Sequence, residues 1–465
     1  MSDQKPVVHP YIPNTAPEVR SEMCKELGVA NAEELYQEIP VELRLGRPLD
    51  LPPPFLSEHD LRRHVEGLLS KNKTCLEYAN FLGAGCWRHF VPAVCDEINS
   101  RGEFLTAYAG AAYSDHGKHQ AWFEFQSMLA ELIEMDVVGF PTYDWTTSAS
   151  SAVLMACRLT DRREVLVPKN LNPDKLSQMK NFCQPAAAIK QVDFEPETGQ
   201  LDLADLEKKL SPATAAVYFE NPTYLGFIEA GGRRISEMAH QNGSLAVVGV
   251  DAISLGVLSP PSQYGADITC GEVQPLGVHM SCGGGLCGFI GSSDDKQYMA
   301  EYPTIMETIG PTENEGEYGF GWAVWEQTSY VKRELSDDFA GTSTGLWAIT
   351  AGVYLALMGP QGMIDVGRTI MQKSHYAIQR LSRIKGVRVP LFKAAAFKEF
   401  VVNFDQTHKS VSQINKALLD KKIFGGKDIS GEFPELGQSA LYCVTEVISK
   451  EEIDNLAASI EEIVS

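Results

Sequence analysis

A chain of 465 residues is long enough for two or three domains, and its 44% hydrophobic and 22% charged residues describe an ordinary globular protein. No apolar run reaches the roughly 18–20 residues of a membrane span. The 61 acidic against 40 basic side chains leave a formal charge of -21, which repels phosphate backbones and anionic lipid and argues against nucleic acid or membrane as partners.

The first 70 residues read as short capped helices joined by proline-rich links. Thr15 with Glu18 fits a capping box, Gly28 a stop, Asn31 with Glu34 a second start, and Ser57 the cap of a helix carrying Leu61, His64, Leu68 and Leu69. This arm, residues 1–70, is too broken for a large core of its own and is expected to wrap another surface. Its start shows neither an apolar core nor an Arg-rich face, so no signal or transit segment is expected. The ten cysteines contain no Cys-x-x-Cys, which with that start suggests reduced thiols and a cytoplasmic protein.

From about residue 75 the pattern alternates. Apolar β-rich runs at 164–167, 215–219 and 245–250 are separated by helical stretches such as 203–210 and 235–240. Continuous apolar strands alternating with helices predict an α/β fold with a mostly parallel sheet covered on both faces. Ligands of such sheets sit beyond the carboxyl ends of the strands, which directs attention to residues 168–172, 220–223 and 251–254. A long apolar helix over 346–358 closes at Gly359-Pro360, and a smaller α+β unit follows, with strands near 400–402 and 441–444 and a last helix starting at Ser449. The expected domains are the arm (1–70), a large domain (71–345) and a small carboxy-terminal domain (346–465).

Several unbroken strings resemble subunit 1, the amino-terminal half, of the glycine-cleavage P-protein. They are Tyr11-Ile12-Pro13, the Ile39-Pro40 to Arg47-Pro48 region, Phe81-Leu82-Gly83-Ala84-Gly85-Cys86 and the stretch 104–108. Tyr264-Gly265-Ala266-Asp267-Ile268, Gly271-Glu272-Val273-Gln274-Pro275-Leu276-Gly277 and Pro434-Glu435-Leu436-Gly437 follow in family order. The resemblance spans nearly the whole chain. It implies the fold-type I, aminotransferase-like architecture of enzymes dependent on pyridoxal phosphate (PLP), and a role as a subunit of a glycine dehydrogenase (decarboxylating).

The resemblance also implies where cofactor chemistry would sit. Asp251 matches the carboxylate that holds the pyridine nitrogen; read from its place alone, it equally fits the cap of the next turn. The family's Tyr-Asp-Gly-Ala-Thr-Ala phosphate cradle stands here as Tyr143-Asp144-Trp145-Thr146-Thr147-Ser148. Thr146, Thr147 and Ser148 can donate hydrogen bonds at a helix start, or make an ordinary cap, and Trp145 replaces a glycine. Asn172 takes the place of the ring-stacking histidine. Gln274 takes the place of the Schiff-base lysine, as in subunit 1 of the family. The implied consequence is that PLP is bound covalently by a lysine-bearing, subunit 2-like partner in a heterotetramer, with a lipoyl carrier protein as a further partner, and that this chain is inactive alone.

Departures from the family gather at the site. Ala109-Gly110-Ala111-Ala112-Tyr113-Ser114-Asp115-His116 and the 335–342 string replace family active-site strings, which suggests a paralogue with a rebuilt site. His116 and His119, with Asp115 and Glu124, are weak metal candidates because their spacing matches no strong signature. Cys86 beside His89 is either a nucleophile or a packing residue, Arg88 can hold a carboxylate, and Gly283-Gly284-Gly285 fits close backbone approach better than a nucleotide loop. A non-catalytic scaffold, or an enzyme of different chemistry around His116, His119 and Arg88, are the competing readings.

Overall fold

The computed structural model describes residues 11–12, 14–47, 49–105, 116–323, 325–326, 328, 331–336, 338–341 and 343–465, without the side chains of residues 105, 116 and 117. The chain divides into two compact units, Met1–Asn72 and Lys73–Ser465.

In the first unit, helices α1 (Pro17–Leu27) and α2 (Glu58–Leu69) flank short 3-10 turns, and none of these elements contains a buried residue. Gly28 ends α1 in the left-handed conformation, Asn31 accepts from the Glu34 amide and Ser57 accepts from the Asp60 amide, as expected from the sequence. The Thr15 capping box does not form. Ala16 is the cap because Pro17 opens the helix, and the Thr15 hydroxyl donates to the Ile12 carbonyl instead.

The second unit is built on a seven-stranded sheet. Its strands in chain order are β1 (Val137–Val138), β2 (Glu164–Pro168), β3 (Ala188–Val192), β4 (Thr214–Glu220), β5 (Leu245–Asp251), β6 (Ile268–Glu272) and β7 (Gly288–Ser292), with spatial order β1-β7-β6-β5-β4-β2-β3. The pairs among β2 to β6 are parallel, whereas β7 runs antiparallel to both β6 and β1. Every residue of β2, β4, β6 and β7 is buried, which is why these runs are mostly apolar without alternation and carry most of their polar residues at the strand ends.

Helices cover both faces. On one side α4 (Trp145–Thr160) packs its Ala149, Val153 and Met155 against Val165, Val247 and Ile290 of the sheet. On the other, α3 (His116–Ile133) and the long α5 (Gly345–Leu381) enclose Phe125, Leu129 and Ile349 with Val217, Val248 and Phe289. Helix α5 breaks at Gly359, whose φ of 57° and ψ of -177° are non-helical, immediately before Pro360. Beyond it, β8 (Glu399–Asn403) pairs antiparallel with β9 (Ser439–Cys443) in a three-stranded sheet, and the last helix, α6 (Lys450–Val464), begins in a capping box formed by Ser449 and Glu452. No helix of the described residues is long and apolar enough to cross a membrane.

Candidate functional site

The carboxyl ends of β4, β5 and β6 open into a cavity of about 270 Å³. Asn172, Glu220, Pro222, Thr223 and Asp251, all in the loops that the strand pattern singled out, line it. Parallel register explains the placement. Asp251 stands opposite Glu272, so two buried carboxyls close adjacent strands at the same level.

Asp251 does not face an empty position. Its carboxylate lies 2.6 Å from the Lys398 ammonium, and both side chains are buried. Lys398 stands one residue before β8, and its Nζ sits 3.4 Å from the centre of the Trp87 ring and 3.3 Å from His89 Nε2. His89 Nδ1 is in turn 2.8 Å from Glu446, which also accepts from the Phe90 amide. Burial alone would raise the Glu446 carboxyl, but the charge and hydrogen bond of His89 hold it down to about 2.

A second arrangement of the same kind lies across the cavity. Lys175, on the helix Pro173–Cys183, pairs with Glu220 at the end of β4 and stands 3.6 Å from the centre of the Trp145 ring. Tyr218 donates to the same glutamate at 2.7 Å. Gly249 makes room for this indole: a Cβ there would stand 2.8 Å from Trp145 Nε1 and 2.6 Å from the Tyr218 hydroxyl.

The start of α4 is already satisfied by carboxylates. Asp144 accepts from the Thr147 amide at 2.6 Å and Glu272 from the Trp145 amide at 3.2 Å. Glu272 also accepts from the amides of Gln274 and Cys287. Burial, with a smaller contribution from Asp144, raises its carboxyl to about 7 even so. Thr146 lines the cavity, but Ser148 is buried and donates to the Trp145 carbonyl. Asn172 lines the cavity while its oxygen caps its own helix at Asp174 and Lys175.

Gln274 is not among the lining residues. Its oxygen accepts from the Trp87 amide at 3.0 Å, and its nitrogen donates to the carbonyls of Trp87 at 3.0 Å and Val278 at 2.9 Å. The side chain therefore staples two loops rather than facing a ligand.

The remaining sequence candidates lie apart. His119 lies outside the cavity lining. Its Nδ1 is 3.0 Å from Glu307, which also accepts from the Trp322 indole at 2.6 Å. Glu124 accepts from Gln120, one helical turn away. Among the described residues no group of three His, Cys, Asp or Glu side chains is arranged to hold a metal ion. Residues 109–115, 337 and 342 and the His116 imidazole lie outside the described residues. Cys86 lines the cavity with its thiol pushed up to about 11, by burial and then by Glu272, and its sulfur faces the Met280 carbonyl rather than His89. Arg88 makes no ion pair among the described residues. Gly285 meets the close-approach expectation, since a Cβ there would lie 1.9 Å from the His279 carbonyl oxygen.

Sequence reading missed Lys175, Lys398 and Glu399. A signal existed at 397–400, where Lys398 and Glu399 interrupt an apolar strand pattern, because charges in a fully buried strand require partners.

Comparison with known proteins follows the same lines. The family model described as "Glycine cleavage system P-protein" matches residues 9–460. A "Probable glycine dehydrogenase (decarboxylating) subunit 1" of Staphylothermus marinus is 37% identical over 98% of both chains, and one of Thermococcus onnurineus is 35% identical over 97% of this chain and 99% of its own. Among solved structures, a glycine decarboxylase (P-protein) of the glycine cleavage system, in inhibitor-bound form, superposes with a TM-score of 0.84 at 30% identity, covering 98% of this chain and 100% of that one. A sphingosine-1-phosphate lyase of Burkholderia pseudomallei, at 14% identity and a TM-score of 0.65 over 92% of this chain and 94% of its own, shares the fold. That fold is the fold-type I architecture of PLP-dependent transferases.

Proposed function

Because the chain belongs to the glycine cleavage system P-protein family, we propose that it is the subunit 1 component of a two-chain glycine decarboxylase whose cofactor is held covalently by a lysine-bearing, subunit 2-like partner. PLP, where bound, supplies an electron sink for the carbanion left when an amino acid loses carbon dioxide. The residues of this chain do not fit that group. A protonated pyridine would have to displace the Lys398 ammonium from Asp251, and a phosphate would meet Asp144 and Glu272 at the start of α4. Neither Lys175 nor Lys398 offers a free amine, since both are ion-paired and buried.

The observation that carries the proposal is the Gln274 amide, committed on both its oxygen and its nitrogen to backbone groups at the position where the family resemblance places an imine-forming lysine. In this reading the chain's own contribution is structural and electrostatic. It orders the loops around Trp87 and presents a large folded surface to the partner in a heterotetramer. The assigned organisation is an arm (1–70), a large domain (71–345) and a small domain (346–465), in a cytoplasmic assembly that also meets a lipoyl carrier protein.

The test is reconstitution. The purified chain, its lysine-bearing partner and PLP are mixed, glycine decarboxylation is followed, and the complex is reduced with borohydride before peptide mass spectrometry. The expected outcome is activity only in the mixture and reduced cofactor only on a partner lysine. Reduced cofactor on Lys175, Lys398 or any other lysine of this chain would overturn the proposal.

One observation favours a scaffold role as the second reading. Leu27, Tyr36, Leu45, Leu51, Leu56 and Leu69 are all exposed in the first unit. An arm with so much uncovered apolar surface is suited to ordering a partner. Deleting residues 1–70 and measuring association by light scattering separates the two: a partner that decarboxylates glycine at full rate without this chain leaves only the scaffold. The rebuilt-site reading around His119 lacks such support, because Glu307 and Trp322 already engage that imidazole group.

A further inference from the structure

The cavity wall carries two constructions of the same kind, apart from the Gln274 staple behind it. In each, an indole face and a carboxylate converge on one ammonium: Trp87 and Asp251 on Lys398, and Trp145 and Glu220 on Lys175. An aromatic face attracts a cation through its quadrupole, and more strongly when water is excluded. The carboxylate supplies the counter-charge, and together they select a compact organic ammonium over a neutral group or an anion. The lining extends the selection. Among the described residues it holds the carboxyl groups of Asp144, Glu220, Asp251, Glu272 and Glu399 and two cationic side chains, both already paired.

We infer that the wall of this cavity carries two receptors for primary alkylammonium groups, each filled in this chain by its own Lys175 or Lys398. Neither lysine is a residue awaiting an aldehyde. Each is the internal ligand of its own box. The inference concerns what the lining selects and does not rest on the decarboxylase reading, and its test uses no partner chain.

The experiment is a chemical rescue on the full chain. Lys398→Ala removes a propylammonium fragment and leaves Asp251 and the Trp87 face without their cation. The variant is expected to melt roughly 5 °C or more below the unmodified chain. Adding n-propylammonium chloride should restore most of that loss, whereas propanol or sodium chloride at equal concentration should not. Equal rescue by propanol, or none by n-propylammonium, would overturn the inference. If Lys398→Ala does not fold, the same assay on Lys175→Ala decides for the second box.

Two measurements on the unmodified chain settle the matter independently of any variant. Under reductive methylation, Lys175 and Lys398 should react roughly tenfold or more slowly than Lys393 and Lys450, whose side chains are 71% and 67% exposed. Comparable rates would refute the filled receptor. Added PLP should leave the melting temperature unchanged, and a rise with PLP concentration would show that the cavity accepts the anion after all.

Discussion

Asp251 and Glu272 end adjacent strands in direct register, yet the fold accommodates these two buried carboxyls by different means. Asp251 receives a full counter-charge from Lys398 at 2.6 Å. Glu272 receives none among the described residues and is held by three backbone amides, those of Trp145, Gln274 and Cys287. Amide dipoles offset burial only in part, so the Glu272 carboxyl rises to about 7. The comparison teaches that the two ends do different work. The Asp251 end is an electrostatic lock joining β5 to the segment before β8, and the Glu272 end is a knot of loops that titrates near neutral pH.

The comparison breaks most visibly at the lock. Asp251→Ala leaves the buried Lys398 ammonium uncompensated and should cost about 3–5 kcal/mol of stability, read from the urea midpoint. Adding Lys398→Met to that variant should recover part of the loss, because an apolar pair replaces an isolated charge. An unchanged midpoint in Asp251→Ala would show that the lock does nothing for stability.

Gln274→Lys probes the staple between the two ends. It deprives the Trp87 amide of its acceptor, at a cost of about 1–3 kcal/mol. It should also fail to produce a visible imine band with PLP, because Asp251, Asp144 and Glu272 remain engaged. A stable imine band would mean that the Asp251, Asp144 and Glu272 contacts do not keep the cofactor out.

At the Glu272 end the expected effect is a slope. A carboxyl whose folded value, about 7, lies above its ordinary 4.5 binds its proton more tightly in the folded chain. Its contribution is therefore fully present below 4.5 and is lost as pH rises towards 7. Glu272→Gln should flatten this part of the stability profile, and an unaltered slope would assign it to another group. Glu446 has the opposite sign: held at about 2, it contributes stability above 4.5 that is lost as pH falls through 2. The smallest effect belongs to the surface. Breaking the exposed Glu197–Lys393 pair with Glu197→Ala should leave the melting temperature unchanged, since water screens such a pair.

Much of this protein follows from local sequence. The β2, β4 and β5 runs are legible because burial on both faces demands unbroken apolar residues, and the helices starting at Ser57 and Ser449 are legible because a cap is a local hydrogen bond. The rule that ligands gather at carboxyl ends of parallel strands points to the loops that hold Asn172, Glu220 and Asp251. Trp145, which stands where the family has a glycine, packs against Gly249 and against Lys175.

What local pattern could not supply is the partner of each charge. Lys398 is 147 residues from Asp251, and Lys175 is 45 from Glu220. No periodicity links such pairs; only the folding of the small sheet over the large one and the crossover between strands bring them together. Sequence alone determined a mostly parallel sheet and the edge of it where a cavity opens. Tertiary structure alone decided that the amide is a staple and that each buried ammonium of the cavity wall meets a carboxylate, because a buried charge takes its character from whatever the fold places against it.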